Sequence, residues 1–388
     1  MSTLKPGAKI LTIDDEYVLR QSMVAYLEDS GFEVIEADNG ENGLAVFREQ
    51  RPDLVLTDLQ MPVLGGMGVL TALAKEAPDV PVIVVSGAGG MNDVIQALRL
   101  GAWDYLTKPI ADLAVLEHAV CKSLERARLI SENKEYRAKL EKNLATLEAD
   151  QEAGRSVQLR LLPEQGLNLG NYQFFHAVMP SLYLSGDFVD YFRIDEHKIG
   201  FYVADVSGHG ASSAFITVLL KSLINQMIGW YQSGKNSMVL EPNNLLASLS
   251  AEIHSSQLGK YLTMVYGVLD EKTDTLTYSI GGHYPNPILI KNGAATFVAG
   301  KGFPVGIMKK VSYPNQDLVL GVGETLLMFS DGIMEIVGAE SMEEKEKKLL
   351  GYVVETNGDF ELLKEKLGIK DRKEFPDDIT MLKLVKNV

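Results

Sequence analysis

At 388 residues the chain is long enough for two domains and a connector. Its 46% hydrophobic and 23% charged residues are ordinary for a globular protein, and a net charge of −15 argues against a basic face for nucleic acid or an anionic membrane. No apolar stretch approaches the ~20 residues that span a bilayer, and the N-terminus lacks a signal-peptide block, so the cytoplasm is the expected location.

In chain order, residues 9 to about 125 alternate short β-rich segments with amphipathic ones. Strands are expected at Lys9–Ile13, Glu33–Glu36, Leu54–Thr57, Val82–Val85 and Trp103–Leu106, with helical patterns such as Val18–Glu28 and Val94–Leu100 between them. That alternation predicts an α/β, doubly wound parallel sheet, whose chemistry gathers beyond the C-terminal strand ends. Asp14 and Asp15 follow the first strand, Asp58 the third, Ser86 the fourth, and Lys108-Pro109 the fifth. Asp14, Asp15 and Asp58 can hold a magnesium ion and leave Asp58 as a nucleophile toward phosphorus. Lys108 offers a charge for phosphate oxygens, and Ser86 a hydroxyl that can turn toward a new phosphate.

This constellation resembles the receiver domain of two-component response regulators, over residues 8 to about 128. Met61-Pro62 and Tyr105 fit that family as well. The resemblance implies phosphoryl transfer onto Asp58 from a histidine kinase or a small phosphodonor.

From about Leu113 to Leu162, helix formers dominate. Leu113, Leu116, Val120, Leu124 and Ala127, then Tyr136, Leu140, Asn143 and Leu147, follow a three-four spacing whose register slips near Asn133. The single cysteine, Cys121, lies in the first run and reads as a packed thiol; alone it can form neither an internal disulfide nor a thiolate cluster. A homodimeric coiled coil is favoured over a lone helix laid on its own domains, since polar Asn143 and Asp150 occupy seam positions. The expected division is 1–125, a helical linker 126–165, and 166–388.

Beyond Pro163 strands prevail: Gln173–Val178, Phe192–Ile194, Ile199–Ala204, Tyr261–Leu269, Leu276–Ile280, Ile288–Ile290, Thr325–Phe329 and Ile379–Val385. Helices are expected at Ala211–Trp230, Asn243–Gln257 and within Met342–Leu367. Such a pattern predicts an α+β four-layer sandwich, two sheets face to face with helices outside.

Four acidic signatures punctuate this half: Ser-Gly-Asp187-Phe-Val-Asp190, Asp205-Val-Ser-Gly-His209-Gly, Ser-Asp331-Gly and Pro-Asp377-Asp378-Ile-Thr. Carboxylates converge when cations hold them, and hard oxygen donors select Mg2+ or Mn2+. Two ions are expected, with Asp205 bridging, the Val206 carbonyl completing one site, Asp331 and Asp377 facing the other, and Asp187 bound directly or through water. His209 is either a general acid for the leaving oxygen or a histidine that satisfies a turn. Asp190 and Asp378 are either ligand-orienting or backbone-capping.

These motifs, in this order, resemble the metal-dependent serine/threonine phosphatases of the SpoIIE branch, over about 170–386. Tyr261-Leu-Thr263-Met, Ser279-Ile-Gly-Gly-His283 and Gly302-Phe-Pro304-Val-Gly306 support the likeness, and Ser185 departs from the branch's usual glycine. The resemblance implies Asp187, Asp205, Asp331 and Asp377 as ligands, and a linker that moves the two helices after the Gly-His-Gly turn.

The whole order is similar to the response regulators that control sigma-S turnover. Enteric members are expected to use a ligand-free domain as a scaffold, whereas this chain keeps the acids of the pseudomonad type. Three outputs follow: dephosphorylation of a phosphorylated regulatory protein, binding of sigma-S for delivery to the ClpXP protease, or sequestration of a partner by the domain as a scaffold.

Overall fold

The computed structural model describes residues 7–87, 91–370, 372 and 374–387. Two compact units appear, Met1–Leu144 and Ala145–Val388. In the first, β1 (Lys9–Ile13), β2 (Glu33–Ala37), β3 (Leu54–Thr57), β4 (Val82–Ser86) and β5 (Asp104–Thr107) form a parallel sheet in the order β2-β1-β3-β4-β5. Helices α1 (Tyr17–Asp29), α2 (Gly40–Gln50), α3 (Gly66–Glu76) and α4 (Met91–Arg99) alternate with the strands, and α5 (Leu113–Leu161) follows.

Burial on both faces explains the unbroken apolar runs in β3 and β4. Val55 and Val84 join Leu44, Phe47, Val69 and Leu73 on one side. Leu56, Ile83 and Val85 join Met23, Leu27, Leu116 and Val120 on the other. Because β1 and β3 are neighbours, the loops after both strands open into the same crevice. α5 is one continuous helix of 49 residues that carries the last receiver helix and the expected linker together.

The second unit contains β6 (Leu167–Leu169), β7 (Tyr172–Met179), β8 (Asp187–Arg193), β9 (Lys198–Val206), α6 (Ala211–Gln232), α7 (Pro242–Ser255), β10 (Leu262–Asp270) and β11 (Thr275–Gly281). It continues with β12 (Ile288–Lys291), β13 (Ala294–Phe297), β14 (Gln316–Val319), β15 (Thr325–Phe329), α8 (Gly332–Ile336), α9 (Met342–Thr356), α10 (Phe360–Lys366) and β16 (Ile379–Lys386). Two antiparallel sheets result, β14-β11-β10-β9-β8 and β13-β12-β15-β16-β7-β6.

Alternation along β8 and β9 separates the layers. Val189, Tyr191, Phe201 and Val203 point between the sheets with Phe174, Val265, Leu326, Met328 and Leu382. Phe188, Tyr202 and Ala204 point outward onto Leu220 and Ile224 of α6 and Leu246 and Leu249 of α7. Helices α8 to α10 cover the other sheet, with Ile333, Leu349, Val353 and Leu363 on Leu327, Phe329 and Met381. This is the expected four-layer sandwich.

Three details differ from the sequence expectation. Short edge strands β6, β13 and β14 are added; β6 and β14 pair with longer neighbours, and β13 with β12, which is also four residues long. The Met342–Leu367 region is two helices, because Asn357 (φ 47) and Gly358 (φ 67) turn left-handed after Thr356. Among the described residues α6 is, by length and composition, apolar enough to cross a membrane, contrary to the sequence reading. Its Ser213, Ile216, Leu220, Ile224 and Met227 are buried, so one stripe of that apolarity is core packing.

Phe201 is fully buried between the sheets, its ring tilted 53° to that of Phe174 with centroids 5.9 Å apart. Phe201→Ala is expected to destabilise the second unit by ~3–5 kcal/mol. Urea unfolding followed by Trp230 fluorescence in a Trp103→Phe background measures this.

Candidate phospho-acceptor site and candidate metal centre

In the first unit the sheet brings Asp14, Asp58, Ser86 and Lys108 to one edge, all but Lys108 at most 5% exposed. Lys108 Nζ lies 2.8 Å from Asp14 Oδ2, 2.8 Å from Asp58 Oδ2 and 3.1 Å from Glu16 Oε1. Asp58 Oδ1 accepts the Leu59 N–H at 2.6 Å, and the Lys108 N–H donates to the Ser86 carbonyl at 2.8 Å. Burial raises the Asp14 pKa even against the nearby ammonium. Burial pulls the Lys108 pKa down, but hydrogen bonds to Asp14 and Asp58 outweigh it and raise the value.

Carboxylate oxygens of Asp14, Glu16 and Asp58 lie within 4.8 Å of one another, a grouping that fits a small divalent ion. Asp15 is exposed and outside that group. Asp14 Oδ1 accepts the Glu16 N–H at 2.9 Å, and the Glu16 carboxylate reaches Lys108. Tyr105 is half-buried on β5.

In the second unit the register places Asp187 of β8 directly opposite Asp205 of β9, and Asp205 opposite Thr263 of β10. Asp331 follows β15 and Asp377 precedes β16, two strands that pair with each other in the facing sheet. Asp187 is buried, Asp205 and Asp377 are half-buried, and Asp331 is exposed.

Electrostatics ties the four together across the sheets. Burial, then Asp331, Asp377 and Asp378, push the Asp205 pKa up to about 7. Burial, then Asp205 and Asp378, raise Asp187 well above the carboxylate range. Burial, then Asp377 and Glu335, raise Asp331. The Ser330 and Thr380 hydroxyls ease the Asp187 charge, yet no ordinary hydrogen bond meets its buried Oδ2. An orphaned carboxylate oxygen among other hard oxygen donors fits a divalent cation. Among the described residues no three of these acids bring oxygens within 4.8 Å of one another. Their mutual repulsion accounts for that spread.

Backbone contacts set the ligand loops. A Cβ on Gly186 would sit 2.9 Å from the Val206 carbonyl oxygen, so glycine is required where that oxygen approaches the Asp187 loop. A Cβ on Gly332 would meet the Asp378 carbonyl oxygen at 2.1 Å, which explains the glycine after Asp331. His209 is exposed on the turn between Gly208 (φ +78) and Gly210 (φ +79).

The two undecided acids have structural partners. Asp378 accepts from Ser181 N–H (2.7 Å), Ser181 Oγ (2.8 Å) and Gly186 N–H (2.6 Å), fixing the loop before Asp187. Asp190 pairs with Lys221 at 3.0 Å. Sequence reasoning missed Lys260, whose Nζ donates to the Ser207 carbonyl at 2.8 Å and to Ser213 Oγ at 3.1 Å, bracing the Asp205–Gly210 turn. Its only sequence signal is a cation at the entry to β10.

These raised values fix a pH dependence. The folded protein holds protons on Asp205 and Asp187 that the unfolded chain releases above 3.8, so metal-free stability falls as pH rises from 3.8 to about 7. Thermal melts in chelator are expected to show a lower Tm at pH 8 than at pH 5. An Asp187→Asn/Asp205→Asn variant is expected to lose most of that difference.

Comparison with known proteins places both halves. Residues 10–120 match the response regulator receiver domain family, and residues 195–386 match the stage II sporulation protein E (SpoIIE) family. The chain is 25% identical over 317 residues to the Regulator of RpoS of Escherichia coli (strain K12), covering 80% of this chain and 90% of that one. It is 42% identical over 125 residues to the probable transcriptional regulator ycf27 of Porphyra purpurea. That match covers 32% of this chain and 51% of the relative, so the chain spans only about half the length of such relatives. The SiaA-PP2C domain of Pseudomonas aeruginosa is similar in fold, with a TM-score of 0.52 and 18% identity over 63% of this chain and 97% of that one. The chain thus carries a segment matched to the receiver family ahead of one matched to the SpoIIE family.

Proposed function

We propose that phosphorylation of Asp58 controls a metal-dependent protein serine/threonine phosphatase formed by the second unit, acting in sigma-factor regulation. The proposed division is a receiver over 1–125, the linker over 126–165 and the phosphatase over 166–388. The observation that carries the reading is the buried Asp187 opposite the half-buried Asp205, which faces Asp331 and Asp377, four acids at one end of the sandwich. Two Mn2+ or Mg2+ ions on Asp187, Asp205, Asp331, Asp377 and the Val206 carbonyl would supply Lewis acidity and an activated water. His209, exposed on its glycine-flanked turn, would donate a proton to the leaving serine or threonine oxygen.

In the receiver, Asp14, Asp15 and Asp58, with Glu16 beside them, would hold Mg2+, and Asp58 Oδ2 would receive the phosphoryl group from a histidine kinase or small phosphodonor. Lys108, already beside that oxygen, would move its charge onto the phosphate, and Ser86 would donate its hydroxyl. The exposed apolar residues Tyr136, Leu140, Leu144 and Leu147 on α5 support a homodimer through the linker.

A second reading rests on the likeness to the Regulator of RpoS across most of both chains. Here the second unit binds sigma-S and presents it to the ClpXP protease.

Asp205→Ala separates the two. The phosphatase reading expects Mn2+-dependent release of phosphate from the phosphoprotein substrate to fall about a hundredfold or more, the equivalent of several kcal/mol. It also expects beryllofluoride on Asp58 to change the wild-type rate, and equal rates with and without it would sink the switch. Unchanged sigma-factor turnover in cells carrying Asp205→Ala would favour binding alone.

A further inference from the structure

Residues 133–153 of α5 are exposed without exception, but near the helix end Gln158 is only 7% exposed. Its amide grips one residue from both sides. Nε2 donates to the Ser185 carbonyl at 2.7 Å, and Oε1 accepts the Ser185 N–H at 3.1 Å. Nε2 also donates to Thr217 Oγ1 of α6 at 3.1 Å, while the Thr217 hydroxyl donates to the Ala214 carbonyl.

Ser185 in turn holds the next ligand position, since its Oγ accepts the Asp187 N–H at 3.0 Å. One turn further along α5, the Leu161 carbonyl accepts Lys221 Nζ of α6 at 2.6 Å. Lys221 continues to Asp190 of β8. The helix end is therefore bonded to both the Asp187 loop and α6.

A buried glutamine with every polar atom satisfied specifies a geometry more than it adds stability. Its amide lies about 5–6 Å from the helix axis, so a rotation of about 20° would shift it by about 2 Å. That exceeds what hydrogen bonds of this length tolerate.

We propose that Gln158 is a positioning residue that couples the end of α5 to the Asp187 carboxylate, so that movement of this helix sets metal affinity. The inference rests on the metal-centre reading and adds a direct bond to the Asp187 loop beside the contacts with α6.

Full-length wild type, Gln158→Ala and Thr217→Val are compared by calorimetric titration with Mn2+, with and without beryllofluoride. Gln158→Ala is expected to weaken Mn2+ binding about 10-fold or more, with phosphate release at saturating Mn2+ within about threefold of wild type. It is also expected to abolish any difference in Mn2+ affinity produced by beryllofluoride. Thr217→Val, which removes one acceptor and keeps the shape, is expected to show a smaller loss in the same direction. It decides the matter if Gln158→Ala fails to fold by circular dichroism. Wild-type Mn2+ affinity and full response in the folded variants would overturn the proposal. A wild type that binds no Mn2+ would instead overturn the metal-centre reading.

Discussion

Asp187 and Asp205 stand opposite each other on neighbouring antiparallel strands, at the one place where the inter-sheet core gives way to acids. Like charges directly opposite on a sheet destabilise it, and burial amplifies the cost. Nothing in the strand sequences relieves this pair with a cation: the ammonium groups of Lys221 and Lys260 go to Asp190 and to a backbone carbonyl instead. The fold thus holds an electrostatic debt that protons settle at low pH and that a divalent ion can settle at neutral pH.

Much of the surrounding architecture keeps that strained pair in place. Asp378 has its oxygens committed to Ser181 and Gly186, so it stiffens the loop before Asp187. Gly186 and Gly332 allow backbone oxygens from other loops to approach at distances that any side chain would block. The receiver solves a similar problem differently, placing Lys108 between Asp14 and Asp58. One centre carries its own counter-charge, which an incoming phosphoryl group can take over; the other leaves its acids open to cations.

The chemistry was legible in the sequence wherever residue type and strand end coincide. Asp58 and Lys108 sit directly after short β-rich runs and Asp205 near the end of one, and such runs predict most of the longer strands. Edge strands such as β13 and β14 were not legible, since four residues pair only where a neighbour offers its edge. The break between α9 and α10 did have a signal, Asn357-Gly358, submerged in a long helix-forming stretch. The approach of Glu16 to Asp14 and Asp58 goes with a backbone hydrogen bond to Asp14, which no spacing rule encodes. Gln158 looked like any polar residue of an exposed helix because its partners lie 27 and 59 residues away.

The long helix between the modules poses a question of its own. Its 49 residues extend about 74 Å at the usual rise, and ion pairs such as Arg128–Glu132 contribute only tenths of a kcal/mol each. Helices in water owe most of their stability to packing, yet among the described residues, 133–153 of this one are all exposed, with Lys134 paired to Asp79. Burial comes instead from Leu116, Val120 and Leu124 toward one end and from Gln158 and Leu161 toward the other. The exposed Tyr136, Leu140, Leu144 and Leu147 recur at three-four spacing along that stretch, the stripe that a partner helix would cover.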